Sequence, residues 1–205
     1  MKAIIISLIL FLSCTNANLD EKPVISAFAG KLTVNGIESN NGTAIKYGDI
    51  IETGQNSFCE IIINKRSIIK LAQNTVFVFN ISESQNSFEL KSGSLTGLTR
   101  KKFVKQDSYL IKTPTGIAAV RGTSYFIHIE SPDSSYFCVC NGTITLSGET
   151  EESVSASHHT ARRFKKTTEG KITTDKNAAL LYHTDSDIEK LADKIGEKIN
   201  WDKAD

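Results

Sequence analysis

The chain has no surplus of charge of either sign: 24 Lys and Arg stand against 23 Asp and Glu across 205 residues. A balanced surface offers no field to draw in polyanions, and the aromatics are not interleaved with basic residues as a base-stacking platform requires, so nucleic-acid binding is excluded as a leading reading. Signatures of catalysis are missing too. There is no G-x-S-x-G elbow, no phosphate-cradling glycine loop and no carboxylate pair at a diagnostic spacing. Beyond about residue 20 no apolar run is long enough to span a bilayer, for which a helix needs about 20 residues. No strict repeat period is present that would mark a long repeat array.

What is present begins with an export signal. Lys2 precedes the apolar run Ala3 to Leu12, a positive n-region and a short h-region. Two processing sites compete. Leu10-Phe11-Leu12-Ser13-Cys14 resembles a bacterial lipobox in which Cys14 is lipidated and becomes the first mature residue; Thr15-Asn16-Ala17 is an ordinary small-residue cleavage site. The position of Cys14 directly after the h-region favours the lipoprotein, held on the periplasmic side of a membrane or at the cell surface. The alternative product is soluble in the periplasm or secreted. The expected organisation is an export signal at 1–17, a polar tether at 18–23, a β domain at 24–160, and a polar segment at 161–205 ending in a helix that packs on that domain.

From Val24 onward, Gly, Asn and Ser at short intervals separate runs rich in Val, Ile, Phe, Thr and Tyr. That punctuation predicts an all-β fold of about ten short strands in a sandwich, roll or short solenoid. Val76-Phe77-Val78-Phe79 is β-prone throughout, while Ile61-Ile62-Ile63 with Ile68-Ile69 predicts strands buried on both faces. Arg100, Lys101, Lys102 and Lys105, like Arg162, Arg163, Lys165 and Lys166, read as solvated charge, with contact to lipid head groups as the alternative. Near the C-terminus the period changes. Ile188, Leu191, Ala192, Ile195 and Ile199 follow helical spacing, and Ser186-x-x-Glu189 forms a capping box, predicting one amphipathic helix over roughly 186–199.

The candidate chemistry gathers late in the chain. Tyr136 to Leu146 reads as a hairpin turning at Asn141-Gly142. On a strand Cys138 and Cys140 point the same way and Val139 the other. His158, His159 and His183 follow, three of the four histidines in the chain. If Cys14 carries lipid, an odd number of cysteines remains in a disulfide-permissive compartment, so at least one is free or binds something. The simpler alternative pairs Cys59 with Cys138 or Cys140; a Cys138–Cys140 bond along one strand is geometrically poor, since Cα atoms two residues apart lie near the long limit of about 7 Å. Thiolates and imidazoles together suit Zn²⁺, Cu⁺ or iron, and Cys138, Cys140, one of His158 or His159, and His183 make four ligands. The plain alternative is small core cysteines, a polar His-His loop and a cap histidine. A redox pair is disfavoured because a strand lacks the helix N-terminus that lowers thiol pKa values in C-x-x-C enzymes.

Three stretches resemble the FecR-type periplasmic domain: Gly48-Asp49-Ile50-Ile51-Glu52-Thr53-Gly54, Leu90-Lys91-Ser92-Gly93-Ser94-Leu95, and Thr113-Pro114-Thr115 with Val120-Arg121-Gly122-Thr123. The resemblance covers roughly 24–147, and Asn141-Gly142 falls where that family has its next turn. It implies a non-enzymatic sensing or binding module at the cell envelope whose partner is an envelope protein or a metal complex. In the family's founding members the domain relays iron-complex uptake to a sigma factor through a cytoplasmic tail and a spanning helix; with neither feature here, that direct route is not expected. Some relatives are also similar beyond the core, with a Cys-x-Cys, a His-His and a His-Thr-Asp matching Cys138, Cys140, His158-His159 and His183-Thr184-Asp185. Gly54, Gly93 and Gly122 are expected at turns or bulges, and Arg121 at an internal ion pair. The competing expectation is a passive scaffold that binds a protein or glycan and holds no metal.

Overall fold

The computed structural model describes residues 22–64, 66–81, 86–99 and 108–204. The export segment with Cys14, and the basic residues Arg100, Lys101, Lys102 and Lys105, lie outside the described residues.

The fold is all-β with one short helix. Its strands, among the described residues, are β1 Val24–Ala29, β2 Leu32–Val34, β3 Ile37–Glu38, β4 Asp49–Thr53 and β5 Phe58–Asn64. They continue with β6 Ser67–Leu71, β7 Val76–Ile81, β8 Asn86–Thr99, β9 Ser108–Thr113 and β10 Gly116–Arg121. The last are β11 Ser124–Ser131, β12 Ser134–Ser147, β13 Glu151–Ala156, β14 Thr160–Lys166 and β15 Ile172–Asp175, followed by helix α1 at Asp185–Asp193.

Two layers form, joined by two strands long enough to belong to both. The first runs β1-β5-β6-β8-β11-β12-β14-β15, using the end of β8 and the start of β12. The second runs β3-β2-β4-β7-β8-β9-β10-β12-β13, using the other halves of those strands. Every pairing is antiparallel except β8 with β9. Period-two alternation puts Ile61, Ile69, Tyr125, Phe137 and Val139 of the first layer against Phe77, Phe88, Ile111, Val120 and Leu146 of the second in one buried core. The opposite face of the first layer is apolar as well. It carries Phe126, Tyr136, Cys138, Cys140, Ile68 and Leu98, and it is covered by the C-terminal segment. The isoleucine runs at 61–63 and 68–69 thus serve a sheet covered on both sides.

Asn141-Gly142 is not a hairpin turn. β12 continues through it without reversing, pairing with β14 up to Val139 and β11 up to Asn141, then with β13 from Gly142 and β10 from Ile144. Gly142, at φ +114°, is the corner at which the strand passes from one layer to the other. The tight turn of this hairpin lies upstream at Pro132-Asp133, between Ser131 and Ser134. Gly93, at φ +82°, is a similar point within β8, where a Cβ would come 2.2 Å from Thr75 Oγ1. Gly93 therefore bends β8 without ending it, and one strand runs from Asn86 to Thr99. A true two-residue hairpin turn lies between β2 and β3, with Asn35 and Gly36 at φ +54° and +77°. The domain limit expected at 160 falls at the start of β14, and the first layer runs on to Asp175.

Helix α1 starts at Asp185 and is shorter than its apolar periodicity predicted. Its capping carboxylate is Asp187, which accepts from the Thr184 N–H at 2.9 Å and the Thr184 hydroxyl at 2.8 Å, in place of the expected Ser186/Glu189 box. It stops because Gly196 takes φ +67°, with Glu197 N–H donating to the Ala192 carbonyl and Gly196 N–H to the Asp193 carbonyl, both at 3.0 Å, in a Schellman pattern. Ile188, Leu191 and Ala192 are buried on the sheet. Each large side chain so covered contributes about 1.5–3 kcal/mol by burial. No helix among the described residues is long and apolar enough to cross a membrane.

Candidate metal centre

Three separate elements bring the donors together. Strand alternation sends Cys138 and Cys140 of β12 out of the main core, both fully buried beneath the C-terminal segment, while Val139 enters the core. The turn between β13 and β14 ends at His159, whose backbone N–H donates to the Cys140 carbonyl at 3.0 Å. The chain before α1 delivers His183, whose ring stacks on Phe126 with centroids 4.5 Å apart and planes 15° off parallel.

Cys138 Sγ lies 3.5 Å from His159 Nδ1, Cys140 Sγ 3.3 Å from His183 Nε2, and the two ring nitrogens 3.3 Å from each other. All four donor atoms fall within 4.8 Å of one another. Around one ion with bonds of about 2.3 Å to sulfur and about 2.05 Å to nitrogen, a regular tetrahedron sets nitrogens about 3.3 Å apart and sulfur about 3.6 Å from nitrogen. The His159–His183 and Cys138–His159 spacings match those edges, and Cys140–His183 is about 0.3 Å shorter than its edge.

The outer nitrogens fix which lone pairs face inward. His159 Nε2 donates to an Asp185 carboxylate oxygen at 2.7 Å, and His183 Nδ1 donates to the Leu181 carbonyl at 3.0 Å. With those N–H groups committed outward, His159 Nδ1 and His183 Nε2 in their neutral forms confront each other as bare acceptors. The nearest donors to them are the Cys138 and Cys140 thiols, so once those thiols ionise a cation is what satisfies both nitrogens. His158 does not join the four donors; it is half exposed and donates from Nε2 to the second Asp185 oxygen at 3.0 Å. Of the two, His159 alone turns its ring toward the cysteines.

Charge follows this arrangement. The hydrogen bond with Cys140 holds the Cys138 thiol well below its ordinary range against the cost of burial, and His159 and His183 pull the same way. Burial pushes Cys140 up, and the neighbouring Cys138 charge adds to it. His159 is raised by its bond with Cys138, against burial, and Asp185 supports the rise. Asp185 is lowered by the His159 bond, despite some desolvation, and by His158. These influences make Cys138, not Cys140, the sulfur that ionises more readily. Backbone strain sits in the same place. Apart from asparagines, the non-glycine residues at positive φ among those described are His159 at +48° and Tyr182, next to His183, at +73°. Such conformations cost on the order of 1–3 kcal/mol each and persist where surrounding contacts over-determine them.

Asp185, Trp201 and Asn141 complete the centre. Trp201 packs over His158 and His159 at 4.9 and 5.2 Å, its Nε1–H donating to Glu189 at 2.9 Å. The buried Asn141 amide donates to the carbonyls of Ser157, Asn200 and Lys203 at 2.8–2.9 Å, tying the turn and the C-terminal end to β12. As the sole tryptophan, Trp201 was the one available signal, and nothing marked Asn141 beyond its place beside Gly142.

The remaining candidates lie elsewhere. Cys59 is free and buried in the main core, its thiol pushed up to about 12 by burial and by Glu60. All three described cysteines are free, so the Cys59 disulfide expected as the simpler alternative is absent among the described residues. His128 Nδ1 contacts Ser94 Oγ at 2.8 Å and its ring packs on Tyr182 at 4.5 Å. Arg162 and Arg163 pair with Glu152 and Glu130 at 2.9 Å rather than standing free for head groups. Arg121 is exposed at the end of β10, contrary to the internal pairing expected of it. Gly48, Asp49, Thr53, Gly54, Thr113, Pro114, Gly122 and Thr123 do structural work at strand ends. Asp49 accepts from Asn35 and Lys46, Thr53 Oγ1 accepts from the Thr75 N–H, and Thr123 Oγ1 donates to Thr143.

Fold and site together define a two-layered β module with a soft-donor cluster sealed under its C-terminal segment. Residues 49–145 match the family model described as FecR protein. Two crystal structures of a candidate anti-sigma factor from Parabacteroides distasonis ATCC 8503, at 1.65 and 2.50 Å resolution, are similar to it in fold. Each superposes with a TM-score of 0.50 at 12% identity, over 63% of this chain and 60% of that one. The chain thus spans less than two thirds of those structures. A comparison with curated proteins gives no match.

Proposed function

We propose that this protein is a non-enzymatic, FecR-like sensor at the cell envelope that binds one divalent transition-metal ion through Cys138, Cys140, His159 and His183. The observation that carries the reading is the pair of inward-facing imidazole nitrogens 3.3 Å apart, with each outer N–H already committed. With the two thiols ionised those nitrogens have no donor left, and a cation at their centre satisfies all four groups. Burial selects the charge. Two thiolates and two neutral imidazoles balance a 2+ ion, and a neutral cluster is the cheapest to hold out of water. Zn²⁺ is therefore favoured, with Fe²⁺ next, and Cu⁺ would leave a buried net negative charge. The apolar run before Cys14 supports export with lipid anchoring at that residue, and an envelope protein is the partner that would read the bound state.

The test is metal analysis of untagged protein, followed by cobalt substitution. One ion per chain, a tetrahedral Co²⁺ spectrum with sulfur-to-metal charge transfer, and loss of both in Cys138→Ser/Cys140→Ser are expected. Protein that holds no stoichiometric ion, and whose thermal stability ignores chelators, would overturn the proposal.

A further inference from the structure

The four donors do not belong equally to the sheet. Cys138 and Cys140 lie on a central strand, and His159 is pinned to that strand by its own N–H bond to Cys140. His183 alone arrives on the segment that follows β15, a stretch with no strand pairing between Asp175 and α1. That stretch leaves Leu180, Leu181 and Tyr182 exposed, and Tyr182 holds φ +73° immediately before the histidine. Besides His183 it is held by the Leu181 N–H donating to Tyr136 at 3.2 Å and by Tyr182, whose hydroxyl donates to Glu130 at 2.8 Å and whose ring packs on His128. Asp185, the first residue of α1, then accepts from His159. The cluster is thus connected to the start of the helix by two side chains two positions apart.

The helix depends on being docked. At nine residues it is too short to persist alone in water. It lies against β6 and β8, where Leu191 and Ala192 meet Ile68 and Leu98, and Ile188 meets Phe126 and Tyr136. Lys194, just past the helix, reaches back to the buried carboxylate of Glu60 on β5.

We infer that coordination of His183 is a latch: the bound ion clamps residues 178–199 onto the outer face of the first sheet, and its loss frees them and uncovers the apolar strip of β6, β8 and β11. The inference rests on the metal-binding reading above and gives it an output. With the ion gone, the facing nitrogens keep only the two thiols, weak donors at 3.3–3.5 Å, and the strained approach at Tyr182 loses the strongest of the contacts that hold it. Swinging His183 away relieves the strain and takes Asp185 and α1 with it. The sheet keeps its own ladders and its core on the other face, so it stays folded. Linkage makes the coupling reciprocal: a segment held down by the ion raises the affinity for the ion.

The experiment is hydrogen exchange on the full mature chain, zinc-loaded and after chelation, with the dye ANS as a reporter of exposed apolar surface. Amides of 178–199 should exchange at least about tenfold faster without zinc, while those of β8 and β12 change by less than about twofold. ANS fluorescence should rise in parallel. Zinc-loaded His183→Ala, which retains three ligands, should show the same fast exchange in 178–199 as the chelated wild type. If zinc binds stoichiometrically and 178–199 is equally protected in both states, or stays protected in His183→Ala, the latch is wrong and the metal site stands. If no stoichiometric ion binds, the metal reading itself fails and the latch with it.

Discussion

Asp185 is the most informative single residue to change, because its carboxylate touches no candidate ligand atom yet orients one of them. It accepts from His159 at 2.7 Å and from His158 at 3.0 Å. Replacing it by alanine removes the acceptor that commits His159 Nε2 as the donor, so the ring is free to place its proton on Nδ1 and to rotate. Loss of such a partner behind a metal-bound histidine typically weakens metal affinity 10–100-fold, about 1.4–2.7 kcal/mol. The same carboxylate also opens α1, and removing a negative charge from a helix start costs about 0.3–1 kcal/mol of stability whether or not an ion is bound. The two effects separate by assay. Competition with a chromophoric chelator reads the affinity, and thermal melting of the metal-free protein reads the helix contribution. Asp187→Ala is the control, since Asp187 caps through Thr184 and touches neither histidine; it should lower metal-free stability and leave affinity within about twofold. Unchanged affinity in Asp185→Ala, or an equal drop in Asp187→Ala, would refute the reasoning.

Acid should expose another network. Some desolvation opposes ionisation of Glu130, yet hydrogen bonds from Arg163, Ser134 and Tyr182 hold its carboxyl at about 2. A depressed folded pKa stabilises above the ordinary carboxylate range and loses that contribution as pH falls toward 2; chemical-denaturation midpoints should fall across that window, and the fall should be smaller in Glu130→Gln. Gly93→Ala combines a positive φ with a Cβ 2.2 Å from Thr75 Oγ1, so it should destabilise by at least about 1–3 kcal/mol, measured by urea unfolding. Cys59→Ala removes a thiol from the main core and none from the cluster, so stability should drop by roughly 1–2 kcal/mol while metal stoichiometry stays at that of the wild type.

Much of the molecule follows from local pattern. Alternation along β12 was enough to place Cys138 and Cys140 on one face, because a strand's period of two does not depend on what the strand packs against. Hydrophobic spacing likewise revealed the helix and the doubly covered isoleucine strands. What local pattern mis-stated were events set by neighbours. Asn141-Gly142 has the chemistry of a hairpin turn, but β12 has partners in both layers, and a strand paired on each side of a glycine bends there instead of reversing. The helix ends early because Gly196 closes a Schellman turn, although Ile199 continues the apolar spacing and still packs on the sheet.

Sequence by itself determined the inventory: an all-β chain, two cysteines sharing a face, and three histidines downstream of them. Tertiary structure decided which nitrogens meet the sulfurs. A turn at φ +48° aims His159 inward and leaves His158 outside, and the path through Tyr182 carries His183 across the sheet to Cys140. Those choices depend on loop conformation and on contacts between residues more than 20 positions apart, which no spacing rule within one segment encodes.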